Sequence, residues 1–256
     1  MADSPRLLPP PPVPGRECAL FLDVDGTLID FAPRPDAVRL RPSLTALLDR
    51  LGNTLGGALA LVSGRPVEQL DALFAPLRLS AAGLHGHQLR PADVTMPAAP
   101  ADVPDGLHAL HEQAERLAHA HPGVLVEDKH SGLALHWRNA PAAAEAVMAF
   151  AQAQLPGLPG FRLQPGNEVI EFVPLGSDKG QAVRALMAHA PFAGRVPVFV
   201  GDDLTDEAGF AAANRLGGWS VLVGTRAGSL ARHALPDIDA VLGWLGATAS
   251  QEESRT

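Results

Sequence analysis

The chain has 256 residues, of which 46% are hydrophobic and 19% are charged, so it can bury a sizeable core in one or two domains. Acidic residues outnumber basic ones by 28 to 20, and the net charge of −8 disfavours nucleic-acid binding. No apolar run approaches the roughly 20 residues that a membrane span needs, and the single cysteine, Cys18, cannot form an internal disulfide. We therefore expect a cytoplasmic protein with neither nucleic-acid nor membrane partners.

The two ends of the chain are irregular in sequence. Five prolines stand between positions 9 and 14, and they prevent the helical apolar segment that a signal peptide requires. We expect residues 1–17 to form a disordered proline-rich leader and residues 247–256 to form a flexible tail.

Three continuous apolar runs, at residues 19–22, 58–62 and 196–200, predict strands that are buried on both faces of a parallel sheet. Helical patterns follow the second and third runs, where Pro66 and Thr205 are suitable starting residues. Strands alternating with helices indicate an open α/β sheet, in which ligands bind beyond the carboxyl ends of the strands.

The middle of the chain has a different pattern. It contains two helical segments and two alternating stretches, at residues 105–121, 141–154, 133–138 and 168–173. Alternation leaves one sheet face buried and the other available. We therefore predict a smaller α+β cap domain over residues 86–174, inserted into a Rossmann-like parallel-sheet core domain formed by residues 18–85 and 175–246.

The first polar cluster, Asp23-Val24-Asp25-Gly26, follows the first apolar run. Side chains two positions apart near a strand end can project to the same side. Asp23 could then act as a nucleophile, and Asp25 as a general acid and afterwards a base. Taken alone, the same pair also fits two carboxylates that cap a turn.

The most acidic cluster, Gly201-Asp202-Asp203-Leu204-Thr205-Asp206, follows the third run. Crowded carboxylates repel each other and favour a cation, and oxygen ligands of this kind suit Mg²⁺. A helix start with an acidic first turn is the alternative. Asp202 and Asp203 fit that alternative less well because they precede the cap.

Two further clusters stand at helix starts. The hydroxyl of Ser63 and the amides that follow it, including Gly64, are suited to phosphoryl oxygens. Ser177 can cap the next helix, which places Lys179 in a first turn where the macrodipole disfavours a cation unless an anion is bound nearby. The alternatives are that Ser63 is an ordinary helix cap and that Lys179 is a solvated surface lysine.

In chain order, the Asp pair, Ser63, Lys179 and the acidic cluster resemble the motifs of the haloacid dehalogenase-like superfamily of Mg²⁺-dependent phosphohydrolases. The long interval lies between Ser63 and Lys179, so the cap stands between the second and third motifs. Superfamily members with a cap there resemble sugar-phosphate phosphatases, whereas phosphoglucomutase-like relatives usually carry it between the first two motifs.

A finer resemblance points to the trehalose-6-phosphate phosphatase family and covers about residues 18–245. It is carried by residues 21–28, 58–65, 82–86, 135–138, 169–171 and 198–207. The Gly-Asp-Asp-Leu-Thr-Asp-Glu string and the turn around His85 are the specific parts, because the Asp-x-Asp motif marks only the superfamily.

The resemblance implies hydrolysis of trehalose 6-phosphate, the last step of trehalose biosynthesis, through a phosphorylated Asp23. It assigns Mg²⁺ to Asp23, the backbone carbonyl of Asp25 and Asp202; the phosphoryl oxygens to Ser63, Gly64 and Lys179; and a supporting position beside the metal to Asp203 and Asp206. The partner is then a small sugar phosphate.

Candidate sugar-binding residues follow from the same resemblance and from the polar faces of the cap strands. They are Arg65, His85, Lys129, Arg138, Asn167 and Glu171. Relatives often carry lysine where this chain has Asn167. His136 shares the predicted face of Arg138 but also fits an ordinary solvated strand. The histidines at 108, 111, 119 and 121 lack an accompanying cysteine and are interpreted as helix-surface residues rather than zinc ligands.

Two alternatives remain at this point. One is a phosphatase for another sugar phosphate, of the sucrose- or mannosyl-phosphate type, with similar motifs and a similarly placed cap. The other is a non-catalytic sugar-phosphate sensor. The intact set of Asp23, Asp25, Lys179 and Asp202 argues against the sensor, because a sensor does not need a nucleophile.

Overall fold

A computed structural model of the chain describes residues 8–30, 40–92, 105–129 and 131–250. Two compact units are present, one formed by Met1–Val94 with Asp178–Thr256 and the other by Thr95–Ser177. The smaller unit is thus inserted into the larger one, and it begins and ends further along the chain than positions 86 and 174.

The elements alternate along the chain. The strands are β1 (Cys18–Leu22), β2 (Leu59–Val62), β3 (Ser80–Gly83), β4 (Gln88–Arg90), β5 (Leu125–Asp128), β6 (Leu133–His136), β7 (Phe161–Gly166), β8 (Val169–Pro174), β9 (Val196–Gly201), β10 (Trp219–Val223) and β11 (His233–Leu235). The helices are α1 (Pro42–Thr54), α2 (Val67–Phe74), α3 (Asp105–Ala120), α4 (Ala144–Gln154), α5 (Lys179–Met187), α6 (Glu207–Arg215) and α7 (Ile238–Ser250).

The larger unit contains a seven-stranded sheet in the order β11-β10-β9-β1-β2-β3-β4. All neighbouring pairs are parallel except β3 and β4. The predicted α/β class and parallel sheet are confirmed. The antiparallel strand β4 was not predicted, and it explains why the larger unit extends beyond residue 85.

Strand β1 lies at the centre of this sheet, and its five residues are all buried. Leu20 and Leu22 belong to a core that also contains Leu48 of α1, whereas Ala19 and Phe21 face a second core with Phe210 of α6. Helices therefore cover both sheet faces, which is why this strand is continuously apolar in sequence.

The smaller unit is built on an antiparallel sheet in the order β5-β6-β8-β7. One face packs against α3 and α4, with Leu135 and Phe172 of the sheet in the same core as Leu110 and Val147 of the helices. The alternating stretches are thus strands, as predicted, and their apolar residues enter this core. Ala134 and Glu171 on the opposite face are buried as well, so that face is less open than the alternation suggested.

The described residues near both chain ends are more ordered than the sequence suggested. The carbonyl of Pro9 accepts a hydrogen bond from the amide of Ala234, and that of Pro12 accepts one from the indole N–H of Trp244. Residues 8–17 therefore differ from the expected disordered leader, while residues 1–7 lie outside the described part.

The expected flexible tail is likewise helical at its start. Helix α7 runs to Ser250, and Thr248 and Ala249 are buried, so this expectation is wrong for residues 247–250. Residues 251–256 are not described. Among the described helices, none combines the length and apolarity that a membrane crossing requires.

Candidate active site

Asp23 is placed by the end of the central strand. Its amide donates to the carbonyl of Val200 on β9 at 2.9 Å, and its side chain is buried. The chain then turns through Gly26, whose φ is +88° and whose added Cβ would collide with the carboxylate of Asp202. A glycine is required there on both counts, and the turn brings the first and last motifs together.

Lys179 joins the two acidic segments. Its ammonium donates to Oδ1 of Asp23 at 2.7 Å and to Oδ1 of Asp206 at 2.6 Å, and all three side chains are almost fully buried. Helix α5, which begins at Lys179, is capped by Asp178 rather than by the expected Ser177, since Asp178 accepts from the amide of Gln181.

The acidic loop after β9 is held by its own carboxylates. Oδ2 of Asp206 accepts from the amides of Asp202 and Asp203 at 2.9 and 3.0 Å. Oδ1 of Asp203 accepts from the amide and hydroxyl of Thr205. The cap of this turn is thus Asp203, not Thr205 as the sequence suggested.

Burial and mutual repulsion perturb these carboxyls. Burial raises the pKa of Asp23 well above its usual value, although the charge of Lys179 opposes the rise. Burial, together with Asp206 and Asp203, raises the pKa of Asp202 to about 7. Burial would also raise the pKa of Asp203, but the Lys179 charge and the Thr205 hydrogen bonds bring it below normal.

Lys179 remains a cation in this setting. Burial alone would lower its pKa, but the carboxylates of Asp206 and Asp23 raise it well above the usual value. One ammonium therefore faces several carboxylates, and a further cation would relieve their repulsion.

The donor set fits Mg²⁺. Side-chain oxygens of Asp23, Asp202 and Asp206 lie within 4.8 Å of one another. Both oxygens of Asp206 are already engaged by Lys179 and two amides, which leaves Asp23 and Asp202 as the side chains best able to hold the ion. Hard oxygen ligands, few in number, are what Mg²⁺ prefers.

The carboxylate of Asp25 is bound by the guanidinium of Arg65. The Nε and Nη2 atoms of Arg65 each donate to a different oxygen of Asp25 at 2.7 Å. The sequence assigned Arg65 to the substrate, whereas the structure places its guanidinium on the candidate acid–base carboxylate. The pairing spans 40 positions and has no local sequence signal.

Ser63 lies beyond β2, next to the loop that carries Asp23, and is buried. Its Oγ accepts from the amide of Arg65 at 3.1 Å, and its carbonyl accepts from the amide of His85 at 3.0 Å. The turn at Leu84, His85 and Gly86 has three successive positive φ values. For the two residues that are not glycine this is a strained conformation, of a kind that clusters at functional sites.

His85 belongs to the larger unit and is buried, and its side chain contributes to the electrostatic environment of Asp203. Gly64, between Ser63 and Arg65, is partly exposed at the same strand edge. His85 therefore lies close enough to the acidic cluster to influence Asp203.

The sugar-binding candidates of the smaller unit form two groups. Lys129 and Glu171 make a buried ion pair, with 2.7 Å from Nζ to Oε2. Arg138 donates to Glu168 at 2.9 Å and to the carbonyl of Asn167 at 3.2 Å, so it contacts the β7–β8 turn. The sequence had associated Arg138 with Glu171.

A further polar contact lies next to the first group. His136 on β6 is hydrogen-bonded to Glu127 on β5 at 2.9 Å. Burial would raise the pKa of Glu127, but the hydrogen bond and charge of His136, together with Lys129, lower it. The polar face of this sheet therefore carries a connected set of charged side chains.

Arg226 and Glu207 also contact the acidic cluster, and the sequence did not predict either of them as a site residue. Arg226 donates from Nη1 to the main-chain carbonyl of Asp202 at 2.6 Å and from Nη2 to Glu207. Glu207 stands at the end of the specific acidic string, which could have marked it. Arg226 lies in the β10–β11 loop, and no sequence pattern distinguishes it.

Comparison with known proteins agrees with this geometry. A sequence model of the trehalose-phosphatase family matches residues 21–235. The trehalose-6-phosphate phosphatase of Escherichia coli strain K12 is 42% identical over 228 residues, which cover 89% of this chain and 85% of that protein. A probable trehalose-phosphate phosphatase of Sinorhizobium fredii is also 42% identical, over 90% of this chain and 87% of its own.

Solved structures show the same fold. The C-terminal domain of the trehalose-6-phosphate phosphatase of C. albicans superposes with a TM-score of 0.80 over 95% of this chain and 98% of that domain, at 21% identity. The match of the family model over most of the sequence and the identity to the bacterial relatives agree with each other. The chain belongs to the trehalose-phosphatase family.

Proposed function

We propose that this protein is a phosphoric monoester hydrolase that converts trehalose 6-phosphate to trehalose and phosphate. The observation that carries the proposal is the buried contact of Lys179 with both Asp23 and Asp206, which joins three distant motifs beside Asp202. The relatives named for this activity, at 42% identity, support the choice of substrate.

Asp23 is the proposed nucleophile. A carboxylate oxygen of Asp23 attacks phosphorus, the bond from phosphorus to the sugar oxygen breaks, and Asp25 gives a proton to that oxygen. In the second step Asp25 removes a proton from water, the water oxygen attacks phosphorus, and Asp23 and phosphate are released. Asp25 thus ends the cycle with the proton that it gave to the sugar restored from water.

The surrounding groups hold the phosphoryl oxygens and their charge. We assign Lys179, the Ser63 hydroxyl and the Gly64 amide to the oxygens, because in-line phosphoryl transfer depends on positioning and on stabilising charge. Asp23, the carbonyl of Asp25 and Asp202 would hold Mg²⁺, with Asp203 and Asp206 supporting them. When bound, the ion neutralises charge on the phosphoryl group.

Selection of the sugar is assigned to the smaller unit. Lys129, directly after β5, and Glu171 on β8 offer a donor and an acceptor, and both suit sugar hydroxyls. Arg138 and Asn167 are secondary candidates at the adjacent turn. Arg65 and His85 were assigned to the substrate from the sequence; the contact of Arg65 with Asp25 supports a role at the acid–base carboxylate instead.

Cytoplasmic location is part of the same proposal, because the single buried cysteine requires no oxidising compartment.

Release of phosphate from a panel of sugar phosphates tests the function. The full chain is assayed with trehalose 6-phosphate, sucrose phosphate, a mannosyl phosphate and glucose 6-phosphate, each with Mg²⁺ and with EDTA. We expect turnover of trehalose 6-phosphate with Mg²⁺, at a kcat/KM at least about tenfold above the others, which corresponds to about 1.4 kcal/mol. A preference for sucrose or mannosyl phosphate would select that alternative, and binding without turnover would indicate a sensor.

A further inference from the structure

The loop between β10 and β11 reaches back to the acidic cluster through one side chain. Arg226 donates to the main-chain oxygen of Asp202 at 2.6 Å and to Oε1 of Glu207. Oε2 of Glu207 accepts from the amide of Leu230 at 2.8 Å. These contacts tie together the loop, the first residue of α6 and the segment that carries Asp202.

Asp202 depends on such contacts because it lies between a strand and a 3₁₀ turn, outside any repeating hydrogen-bond pattern. Its amide donates to Asp206, and its carbonyl accepts from Arg226. With both main-chain polar groups engaged, the peptide units on either side cannot rotate freely. The direction of the Asp202 side chain, which also accepts from Thr27 at 3.2 Å, is set accordingly.

The ion pair of Arg226 and Glu207 lies in a partly buried position that favours a fixed geometry. The Arg226 and Glu207 side chains are each 21% exposed, so their ion pair is partly screened from solvent. The guanidinium of Arg226 donates from two nitrogens of one rigid planar group, so its two acceptors are held at a fixed spacing, whereas a lysine ammonium donates from one atom at the end of a flexible stem. The arginine can thus hold a carbonyl and a carboxylate at once.

We propose that Arg226, held by Glu207, is a positioning residue for the cation site: it orients Asp202 so that the carboxylate is ready for Mg²⁺. The proposal rests on the proposed function only in taking Asp202 as a ligand of the ion. Groups that orient metal ligands typically affect metal affinity or activity by about 10- to 100-fold.

The test measures Mg²⁺ binding without substrate. The midpoint of thermal unfolding is followed against Mg²⁺ concentration for the wild type, Arg226→Gln, Arg226→Lys and the control Arg215→Gln. Arg215 is an exposed arginine in the last turn of α6. We expect Arg226→Gln to raise the Kd for Mg²⁺ at least about tenfold, Arg226→Lys to lie between it and wild type, and Arg215→Gln to match wild type.

A second readout separates positioning from general damage. In turnover of trehalose 6-phosphate, Arg226→Gln should need correspondingly more Mg²⁺ for half-maximal rate, while kcat at saturating Mg²⁺ and KM stay within about twofold. The double variant Arg226→Gln/Glu207→Gln should have a Kd for Mg²⁺ no higher than that of the single variant with the higher Kd, because both substitutions remove the same contact.

Several results would overturn the inference. One is a folded Arg226→Gln whose Mg²⁺ Kd lies within twofold of wild type. If Arg226→Gln does not fold, a wild-type affinity of Arg226→Lys for Mg²⁺ would overturn the inference instead. If Mg²⁺ does not change the unfolding midpoint of the wild type, both the cofactor assignment and this inference are wrong. If Mg²⁺ raises the wild-type midpoint and the Arg226 variants bind the ion equally well, the inference alone is wrong.

Discussion

Arg65 holds both oxygens of Asp25, with Nε donating to Oδ2 and Nη2 to Oδ1 at 2.7 Å each. The amide of Arg65 also donates to the Ser63 hydroxyl oxygen, so one residue joins the candidate acid–base and phosphate groups. A proton on an Asp25 oxygen would compete with the guanidinium for the lone pairs of that oxygen and weaken one of the two contacts. The approach of the substrate to Asp25 is therefore coupled to Arg65.

Replacing Arg65 by lysine tests this coupling. A lysine keeps the charge but cannot make the paired contact, so the Asp25 carboxylate loses its fixed orientation. We expect kcat for trehalose 6-phosphate to fall about 10- to 100-fold with KM within about threefold, since small displacements of a reacting group have effects of this size. Steady-state kinetics at saturating Mg²⁺ provide the measurement.

The matched control for that variant is Arg78→Lys, because Arg78 is exposed and lies in the same unit. It should behave as wild type. A large increase in KM with unchanged kcat would instead support the role that the sequence suggested, in which Arg65 contacts the substrate.

Asp23→Asn should remove turnover and leave the fold intact. The amide cannot act as the nucleophile, and loss of a nucleophile costs on the order of 10⁴-fold or more in kcat. Phosphate release and the unfolding midpoint are measured together, with Asp49→Asn, at an exposed position of α1, as the control. Near-normal phosphate release by folded Asp23→Asn would contradict the proposed mechanism.

The stability of the metal-free protein should decrease as pH rises from about 4 towards 7. The pKa of Asp202 is raised to about 7 in the folded chain, chiefly by burial. A carboxyl with a raised folded pKa binds more protons folded than unfolded, so its contribution to stability is present at low pH and is lost as pH rises. Unfolding by denaturant in EDTA, at pH 5 and pH 8, measures the change.

Asp202→Asn provides the comparison for that series. It keeps a hydrogen-bond acceptor for Thr27 but removes the titrating charge. At pH 8 without metal we expect Asp202→Asn to be more stable than wild type by on the order of 2 kcal/mol, since one pKa unit corresponds to about 1.4 kcal/mol and neighbouring carboxyls share the effect. At pH 5 the difference should shrink. A constant difference at both pH values would exclude this explanation.

Glu171→Gln in the smaller unit tests sugar selection. The carboxylate can accept charge-assisted hydrogen bonds from hydroxyls, each contributing about 1.5–3 kcal/mol, so KM for trehalose 6-phosphate should rise about tenfold or more. Hydrolysis of p-nitrophenyl phosphate, which lacks sugar hydroxyls, should be unaffected. Glu145→Gln, at an exposed position of α4, is the control. An equal effect on both substrates would contradict a role in sugar recognition.

The sequence predicted the parts of this protein that depend on local pattern. Continuous apolar runs marked β1, β2 and β9, because strands covered on both faces tolerate few polar residues. Alternation marked β6 and β8, whose apolar residues pack against α3 and α4, although it did not show that Ala134 and Glu171 on the other face are buried too. The polar clusters directly after β1 and β9 indicated Asp23 and Asp202 as site residues, because the carboxyl ends of parallel strands meet at one sheet edge.

Only the tertiary structure decided how these groups are paired. Arg65 and Asp25 are 40 positions apart, and Lys179 and Asp23 are 156 apart. Such ion pairs depend on where folded elements meet, so periodicity carries no information about them. The same holds for Arg226 on Asp202 and for the proline segment that bonds to β11: each contact satisfies a polar group at a place that exists only after the sheet has assembled.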